Sequence, residues 1–362
     1  MKRLIFTVTN DLVYDQRMIR ICTSLASAGY DVLLVGRKHA GSPLLAQRSF
    51  RQKRLSLIFH KGKLFYLEYN LRLFLFLLFQ NADVLCAIDL DTILPVLYAS
   101  KLKKTEKVYD AHELFCEMKE VVTRPAIYKW WKWVEKTTVP QFRLGYTVNE
   151  PIRNIFREQY GVAYEIIRNM PVLNQNAGPQ QPQHFILYQG AVNEGRSFET
   201  LIPAFRWIDC PLWIFGDGNF MESARKLVAQ FSLEEKVMFK GKLPPEELRQ
   251  ITPKALMGIT LFENKGLSNY YSLANRFFDY IHAGVPQLCV DYPVYRSINE
   301  QFEVAVLTNN LAPEALAAII NSFLTNNDLQ QKLRNNCLAA RTTLNWQHEE
   351  QKLLAFYKNI LG

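Results

Sequence analysis

Apolar and polar positions along the chain follow two alternating periods, and this alternation predicts repeated strands and helices. An apolar run at 4–9 predicts a buried strand, helical spacing at 15–28 predicts an amphipathic helix, and 31–35 is apolar again. Gly29 lies where that first helix should end. A strand, a helix and a second strand within about 35 residues are typical of a right-handed βαβ unit with parallel strands.

The same alternation continues to residue 168 and resumes at residue 185. It predicts further strands at 55–59, 83–88, 107–110, 146–148 and 165–168, and then at 185–188, 211–215, 236–242, 256–261, 287–290 and 305–308. Residues 169–183 are rich in Asn, Gln and Pro, have no periodic pattern and predict a linker. We therefore expect two α/β domains, covering residues 1–168 and 169–345.

Two predicted helices of the first domain carry unusual side chains. The helix at 64–79 is apolar on nearly all sides, which fits either a buried core helix or a surface helix that rests in a membrane interface. The helix at 125–139 interleaves Trp130, Trp131 and Trp133 with lysines, a mixture that also suits an anionic membrane surface. Because the run at 64–79 is shorter than the roughly 20 apolar residues that span a bilayer, no transmembrane helix is expected.

Composition and charge narrow the class of protein. A length of 362 residues with 49% hydrophobic and 21% charged residues fits a folded chain of two domains. Residues 1–170 contain 26 Lys/Arg against 16 Asp/Glu, whereas residues 171–362 contain 17 against 18, so the positive excess lies in the first half. Anionic lipid headgroups or phosphate-bearing acceptors would suit that half. Nucleic acid is not expected as a partner, because zinc-finger spacing and RNA-binding aromatic signatures are missing.

Cysteine usage and the start of the chain bear on the compartment. The six cysteines are scattered and form no CxxC or Cys/His cluster, which disfavours a zinc site and a disulfide framework and favours reduced thiols. Residues 1–10 show no cleavable signal peptide. We expect a cytoplasmic protein, with peripheral binding at the inner face of the membrane as an option. The first turn also lacks GxGxxG, which disfavours a dinucleotide dehydrogenase.

The most informative stretch of the second domain is residues 272–286, which predict a helix that ends at Gly284. It reads Ser-Leu-Ala-Asn-Arg-Phe-Phe-Asp-Tyr from Ser272 and then Ala-Gly-Val-Pro at 283–286. Ser272 is the predicted N-cap, and a helix start of this kind can bind an anion because its first amide groups lack partners. Asp279 lies two turns into the helix and could accept hydrogen bonds from sugar hydroxyls. An ordinary amphipathic helix with a surface carboxylate is the alternative.

This stretch resembles the donor-nucleotide segment of the family-four glycosyltransferases, commonly Ser-Leu-Pro-Asn-Lys-Phe-Phe-Glu-Tyr followed by Ala-Gly-x-Pro. Those are retaining enzymes of the GT-B architecture, in which two Rossmann-like domains with parallel sheets face each other across a cleft. The resemblance implies that Asp279 holds the ribose of a nucleotide sugar and that Ser272, Leu273 and Asn275 contribute to the same site. It also implies that the terminal helix, residues 346–362, crosses back to the first domain.

The loop at 89–92, Asp-Leu-Asp-Thr, resembles a loop that usually reads His-Asp-Leu-Asp-Thr in the same family, with Ile88 in place of the His. Asp89 and Asp91 look like a DxD metal motif, but that motif belongs to the other glycosyltransferase architecture. We therefore expect no metal here and place Asp89 on the acceptor side of the cleft. Capping of the next helix is the alternative role for Asp91.

A further resemblance lies at 109–114, where Tyr-Asp-Ala-His-Glu-Leu matches a segment found at this place in the family. His112 follows the end of a predicted parallel strand, where ligands gather in α/β sheets. Its imidazole could donate to the donor sugar or to the departing phosphate, or shuttle a proton. His112, Glu113 and Asp89 are the catalytic candidates.

The loop from Gly190 to Arg196 resembles the family's phosphate loop, Gly followed six residues later by Arg or Lys. The resemblance implies that Gly190 lets the backbone approach a diphosphate and that Arg196 pairs with it, since a guanidinium fits two phosphate oxygens. Some members carry a second Arg where this chain has Ala191, so one cation is missing or is supplied elsewhere, with Lys265 as the candidate. Gly216 lies in a second glycine-rich strand end, at 216–218.

Together these segments imply a hexosyltransferase-type enzyme that moves a sugar from a nucleotide-diphosphate sugar to an acceptor hydroxyl with retention. No cofactor or metal is implied beyond the donor. The implied acceptors are glycans or lipid-linked glycans of bacterial surface polysaccharide or lipopolysaccharide. A non-catalytic GT-B binding partner in a glycan-assembly complex is one alternative, favoured by Ile88, Ala191 and by Tyr271, which stands where the family often has an acidic residue. A nucleotide-sugar epimerase of the same architecture is the other.

Overall fold

The structure of the protein is a computed structural model that describes residues 1–13, 15–39, 41–174 and 180–362. It divides into two compact units. The first unit comprises Met1–Asn169 and Glu349–Gly362, and the second comprises Met170–His348. The centre of the predicted linker, residues 175–179, lies outside the described residues.

The first unit is built on a parallel sheet. Its strands are β1 (Arg3–Thr7), β2 (Asp31–Arg37), β3 (Arg51–Leu55), β4 (Val84–Ile88), β5 (Glu106–Ala111), β6 (Leu144–Thr147) and β7 (Glu165–Ile166). They are arranged in the order β3-β2-β1-β4-β5-β6-β7, and all the neighbouring pairs are parallel. The helices are α1 (Gln16–Ser27), α2 (Gly62–Leu78), α3 (Ile93–Lys103), α4 (Lys119–Val122), α5 (Pro125–Thr138) and α6 (Glu150–Tyr160).

The second unit repeats this architecture. Its strands are β8 (Ile186–Gln189), β9 (Leu212–Phe215), β10 (Val237–Gly241), β11 (Met257–Thr260), β12 (Gln287–Val290) and β13 (Ala305–Thr308), in the parallel order β10-β9-β8-β11-β12-β13. The helices are α7 (Phe198–Ala204), α8 (Met221–Gln230), α9 (Pro245–Ile251), α10 (Leu267–Tyr270), α11 (Asn275–Ala283), α12 (Pro293–Phe302), α13 (Pro313–Leu324) and α14 (Asn327–Ala340). Helix α15 (Trp346–Leu361) belongs to the first unit from Glu349 onward. The predicted α/β class with two parallel sheets is confirmed.

Strand order explains where each sheet can bind a ligand. The central strands β4 and β8 are buried along their whole length, as parallel strands covered on both faces are. In the first sheet the order reverses at β1, which lies between β2 and β4, and in the second at β8, which lies between β9 and β11. Ligands of such sheets bind beyond the carboxyl ends of the strands at this reversal. In each unit, the favoured position for a ligand is therefore at the carboxyl ends of the strands that flank this reversal.

Two element predictions are wrong at their boundaries. The strand expected at 55–59 is β3, four residues earlier, and Ile58 and Phe59 are exposed. An edge strand pairs on one side only, so the charged run 51–55 is tolerated there. Ser272 does not cap α11, because that helix begins at Asn275 after Ala274. The hydroxyl of Tyr295 lies 3.2 Å from Ser272 Oγ and accepts the Ala274 N–H at 3.0 Å, which supports that segment ahead of the helix.

Helix α2 is buried on one face only, so the interpretation as a wholly buried core helix is wrong. The buried side chains recur every four residues, namely Phe65, Tyr69, Leu73 and Leu77. The exposed side chains include Leu64, Leu67, Leu71 and Leu75. In the described part of the chain, no helix combines the length and the apolar character needed to cross a bilayer.

The gap left by Gly258 lets α11 pack closely on the sheet of the second unit. A Cβ at this position would lie 2.5 Å from the ring of Tyr280, which covers the strand there. The Tyr280 hydroxyl donates to Leu187 O at 3.0 Å and accepts the Gln189 N–H at 3.2 Å. This buried side chain therefore joins α11 to the carboxyl end of β8.

We expect Gly258→Ala to lower the free energy of unfolding by about 1–3 kcal/mol, because the new methyl group must displace the Tyr280 ring from a packed core. Urea denaturation measures the change. Met257→Leu, at the adjacent buried position, is the matched control and should cost less than about 1.5 kcal/mol, since it nearly conserves volume. Equal losses in the two variants would contradict this account of the packing.

Candidate functional site

In the second unit, two glycine-rich strand ends pack backbone against backbone. Gly190 follows β8 with φ 123°, a conformation that other residues rarely adopt. Its N–H donates to Phe215 O at 2.9 Å, and a Cβ at Gly216 would lie 1.8 Å from Gly190 O. Both glycines are thus required for the close approach of the two loops. The absence of a side chain at Gly216 thus leaves the space that the Gly190 carbonyl occupies.

Arg196 lies in the same loop and is held by the loop that follows β11. Its Nη1 donates to Asn269 Oδ1 at 3.3 Å, and its guanidinium carbon lies 4.6 Å from the centre of the Phe262 ring. The Glu263 N–H donates to Gly195 O at 3.0 Å, which joins the two loops through their backbones. Residues that follow β8 and residues that follow β11 therefore meet at the strand reversal of this sheet.

Lys265 belongs to the same second loop. Its side chain is 67% exposed, and Nζ lies 3.2 Å from the carboxylate of Glu263. An ion pair of so exposed a lysine is weak, and the role of Lys265 as a substitute for the cation missing at Ala191 stays a prediction.

Asp279 lies beside the end of β8. Its carboxylate accepts Gln189 Nε2 at 3.2 Å, and the oxygen of the same Gln189 amide accepts the Thr252 hydroxyl at 2.8 Å. Because Gln189 is buried and its amide is bonded at both ends, it fixes the orientation of the half-buried carboxylate. Through this bond the Asp279 carboxylate lies next to Gln189, the residue before Gly190. A carboxylate in this position can accept hydrogen bonds from a diol.

The other predicted residues of this segment have different surroundings. Asn275 is the first residue of α11 and is exposed, while no side chain caps that helix at Ala274. Leu273 is partly buried against the core of the unit. Ser272 is engaged with Tyr295, as described above.

Sequence reasoning missed Arg276, which is 7% exposed. Its guanidinium carbon lies 4.7 Å from the ring centres of both Tyr188 and Phe262, and Nη1 donates to the Tyr188 hydroxyl at 3.2 Å. The available signal was its spacing of three residues before Asp279, which puts both side chains on neighbouring positions of one helix face.

In the first unit, charges of alternating sign extend from α1 to the loop after β4. The guanidinium of Arg17 donates to both carboxylate oxygens of Asp110, at 3.2 and 2.8 Å. His112 Nε2 lies 3.1 Å from the same carboxylate, and Nδ1 lies 3.2 Å from Asp89. The backbone N–H of His112 also donates to Asp89 Oδ1 at 3.0 Å. The backbone of Asp89 itself has a positive φ of 55°. The imidazole is thereby fixed between two carboxylates.

This arrangement sets the charge state of His112. Burial disfavours the imidazolium, but Asp110 and Asp89 outweigh it and raise the pKa of His112 to about 10. Burial would likewise raise the pKa of Asp110, yet Arg17 and His112 hold that pKa below its usual range. His112 is therefore a cation at neutral pH, which favours its role as a hydrogen-bond donor over a role as a proton-accepting base.

Asp91 is a second residue that the sequence reasoning undervalued. Its carboxylate accepts the Thr9 hydroxyl at 2.5 Å and does not cap α3. Burial raises the pKa of Asp91 to about 7, with smaller contributions from the charges of Asp89 and of the half-buried Glu113. The capping alternative is therefore wrong. Asp91 and Thr9 lie at the strand reversal of the first sheet.

Among the described residues, no group of three or more His, Cys, Asp or Glu side chains is arranged to hold a metal ion.

Residues 171–338 match the family model of glycosyl transferases group 1. This match confirms the resemblance stated above for the second unit. No curated protein sequence is significantly similar to the chain.

Several solved structures share the fold over the whole chain. Sucrose-phosphate synthase from Thermosynechococcus elongatus superposes with a TM-score of 0.79 at 16% identity, covering 99% of each chain. Anabaena HepE in complex with UDP and glucose has a TM-score of 0.78 at 13% identity, covering 99% of this chain and 100% of its own. WaaG, a glycosyltransferase involved in lipopolysaccharide biosynthesis, has a TM-score of 0.72 at 14% identity with the same coverage. Identities this low establish the fold alone.

The pKa of His112 is open to direct measurement by NMR titration, with the resonance assigned from its loss in His112→Gln. We expect a charged imidazole at pH 7.5 and a midpoint near 10. Because the folded pKa exceeds the usual value of about 6.5, the ion pairs stabilise the fold fully below pH 6.5, and this contribution is lost as pH rises through about 10.

Asp110→Asn should lower the His112 midpoint by at least one pH unit, because a neutral amide replaces the nearer negative charge. Glu106→Gln is the matched control, since Glu106 is exposed at the opposite end of the same strand. A wild-type midpoint near 6.5 would refute the charge assignment, as would an equal shift in the two variants.

Proposed function

We propose that this chain, whose residues 171–338 match the family model of glycosyl transferases group 1, transfers a sugar from a nucleotide-diphosphate sugar to an acceptor hydroxyl. The observation that carries the proposal is the grouping of Gly190, Arg196 and Asp279 around the strand reversal of the second sheet. These residues have the chemistry that a nucleoside diphosphate requires.

In the proposed complex, the exposed backbone at Gly190 and the guanidinium of Arg196 bind the diphosphate. The uncapped start of α11 adds amide groups with partial positive charge. As the bond to the sugar breaks, negative charge grows on the departing diphosphate, and fixed positive groups stabilise it without the need to reorganise. Asp279 accepts hydrogen bonds from the ribose hydroxyls.

The first unit is proposed to act through His112, Glu113 and Asp89. Because His112 is charged, it can donate a strong hydrogen bond to an oxygen of the sugar or of the leaving phosphate. Asp91, with a pKa of about 7, is the group best suited to accept or release a proton at neutral pH. We propose retention of configuration and a bacterial surface glycan or lipid-linked glycan as the acceptor, in keeping with the family resemblance and with WaaG as a structural neighbour.

Calorimetric titration with UDP, GDP and ADP and their sugars tests the donor site. We expect one of these nucleotides to bind wild type, and we expect Asp279→Ala to weaken it at least tenfold, about 1.4 kcal/mol, because the ribose loses a charged acceptor. Asp328→Ala changes an exposed carboxylate on α14 and should leave the affinity unchanged. Failure of the folded wild type to bind any of them would overturn the transferase proposal and favour the non-catalytic alternative.

We further propose that the first unit binds the cytoplasmic face of an anionic membrane. Exposed leucines of α2 and the exposed rings of Trp130 and Trp133 on α5 provide apolar contact area. The two helices are joined by the packing of Trp131 on Tyr66, with ring centres 5.5 Å apart. The excess of Lys and Arg in residues 1–170 would attract anionic headgroups. All six cysteines are unpaired and buried, which agrees with a reducing compartment.

Co-sedimentation with vesicles tests this surface. Wild type should bind vesicles containing phosphatidylglycerol, should not bind pure phosphatidylcholine, and should dissociate at high salt. Combined Leu67→Ser, Leu71→Ser and Leu75→Ser substitutions should abolish binding, because they remove apolar area that would enter the interface. Leu44→Ser with Leu267→Ser is the control, since both residues are exposed outside this surface. Equal binding by the two variants would exclude α2 as the contact.

A further inference from the structure

Arg276 is a buried cation without a compensating anion in the described part of the chain. Nε and Nη2 have no hydrogen-bond acceptor there, and no carboxylate forms an ion pair with the guanidinium. Among the residues that the structure describes, Nη1 alone is bonded, to the neutral hydroxyl of Tyr188. A buried charge without a partner is costly, and buried polar groups in proteins are almost always satisfied. Such an exception is expected where a ligand completes the site.

The surroundings of Arg276 point to the sign and the location of that ligand. The faces of Tyr188 and Phe262 attract the cation but provide no oxygen. The Phe262 ring is shared, because the guanidinium carbons of Arg276 and Arg196 lie 4.7 and 4.6 Å from its centre. An anion that lay near this ring would be attracted by both guanidinium groups.

The same cation lies against the glycine loop. A Cβ added at Gly190 would lie 3.4 Å from Arg276 Nη1, so the guanidinium occupies the space next to this glycine. The hydroxyl of Ser197, buried in this loop, also lacks a partner among the described residues. Arg276 is the second residue of α11, so its charge adds to the partial positive charge of that helix end.

From these contacts we propose that Arg276 is the second phosphate-binding cation of the site, and that it supplies the charge that Ala191 does not. This inference rests on the proposed function and adds a binding residue to it. Arg196 and Arg276 together take a diphosphate, and the two rings hold Arg276 in place before the ligand arrives. Part of the free energy of diphosphate binding then comes from pairing the buried Arg276 guanidinium with an anion.

The proposal predicts opposite effects on stability and on binding. Arg276→Met replaces a buried charge by an apolar side chain, so the ligand-free protein should melt at an equal or higher temperature than wild type. Its affinity for inorganic pyrophosphate, and for the nucleoside diphosphate that wild type binds, should fall at least tenfold. Affinity for the corresponding nucleoside without phosphate should not change. Arg276→Lys, which keeps the charge but loses the planar fork, should be intermediate.

Arg206→Met is the matched control. Arg206 also stacks on two rings of the same unit, at 5.0 Å from Trp207 and 5.6 Å from Phe231, but it is exposed. It should leave pyrophosphate binding unchanged. Calorimetric titration gives the affinities, and thermal melts with and without pyrophosphate give an independent measure of binding to the folded state.

The outcomes separate this inference from the proposed function. If wild type and Arg276→Met bind the diphosphate equally, the inference is wrong and the transferase proposal stands. A parallel loss of affinity for the nucleoside and the diphosphate would also refute it, since Arg276 would then only maintain the shape of the site. If wild type binds neither pyrophosphate nor any nucleoside diphosphate, both proposals fail.

Discussion

The attachment of α11 to the end of β8 is the interaction on which the arrangement of the second unit depends. The ring of Tyr280 fits over Gly258, and its hydroxyl bonds to the backbone at Leu187 and Gln189. This fixes the rotation and the position of a nine-residue helix relative to the glycine loop. Since Arg276 and Asp279 project from the same helix, their distances to Gly190 depend on how Tyr280 attaches this helix to the sheet. A looser attachment would move both side chains relative to the glycine loop.

The two units solve the problem of buried charge in opposite ways. In the first unit, Arg17, Asp110, His112 and Asp89 alternate in sign, so each charge is compensated within the protein and His112 is fixed in one protonation state. In the second unit, the contacts of the Arg276 guanidinium with described residues are aromatic faces and a neutral hydroxyl. A network of compensated charges holds its side chains in one arrangement. An uncompensated cation favours the binding of an anion.

Much of the fold could be predicted because its physical signal is local. Buried parallel strands such as β4 and β8 appear as continuous apolar runs, and the helices between them show a period of 3.6 residues. The failures occurred where local pattern and tertiary contact disagree. Ser272 has the chemistry of an N-cap, yet Tyr295, twenty-three positions later, holds it ahead of the helix. The charged strand β3 lacks an apolar pattern because it lies at the sheet edge.

The sequence by itself determined the α/β class, the two repeats of the alternation and the segments that contain Gly190, Arg196, His112 and Asp279, because each depends on short-range order or a recognisable motif. Only the tertiary structure decided which groups act together. Strand order brings the loops after β8 and β11 to one edge, and so places Phe262 between Arg196 and Arg276 in the network of contacts. Burial and neighbouring charges, which depend on residues distant in sequence, set the pKa values of His112 and Asp91. Such properties arise only when the chain is packed.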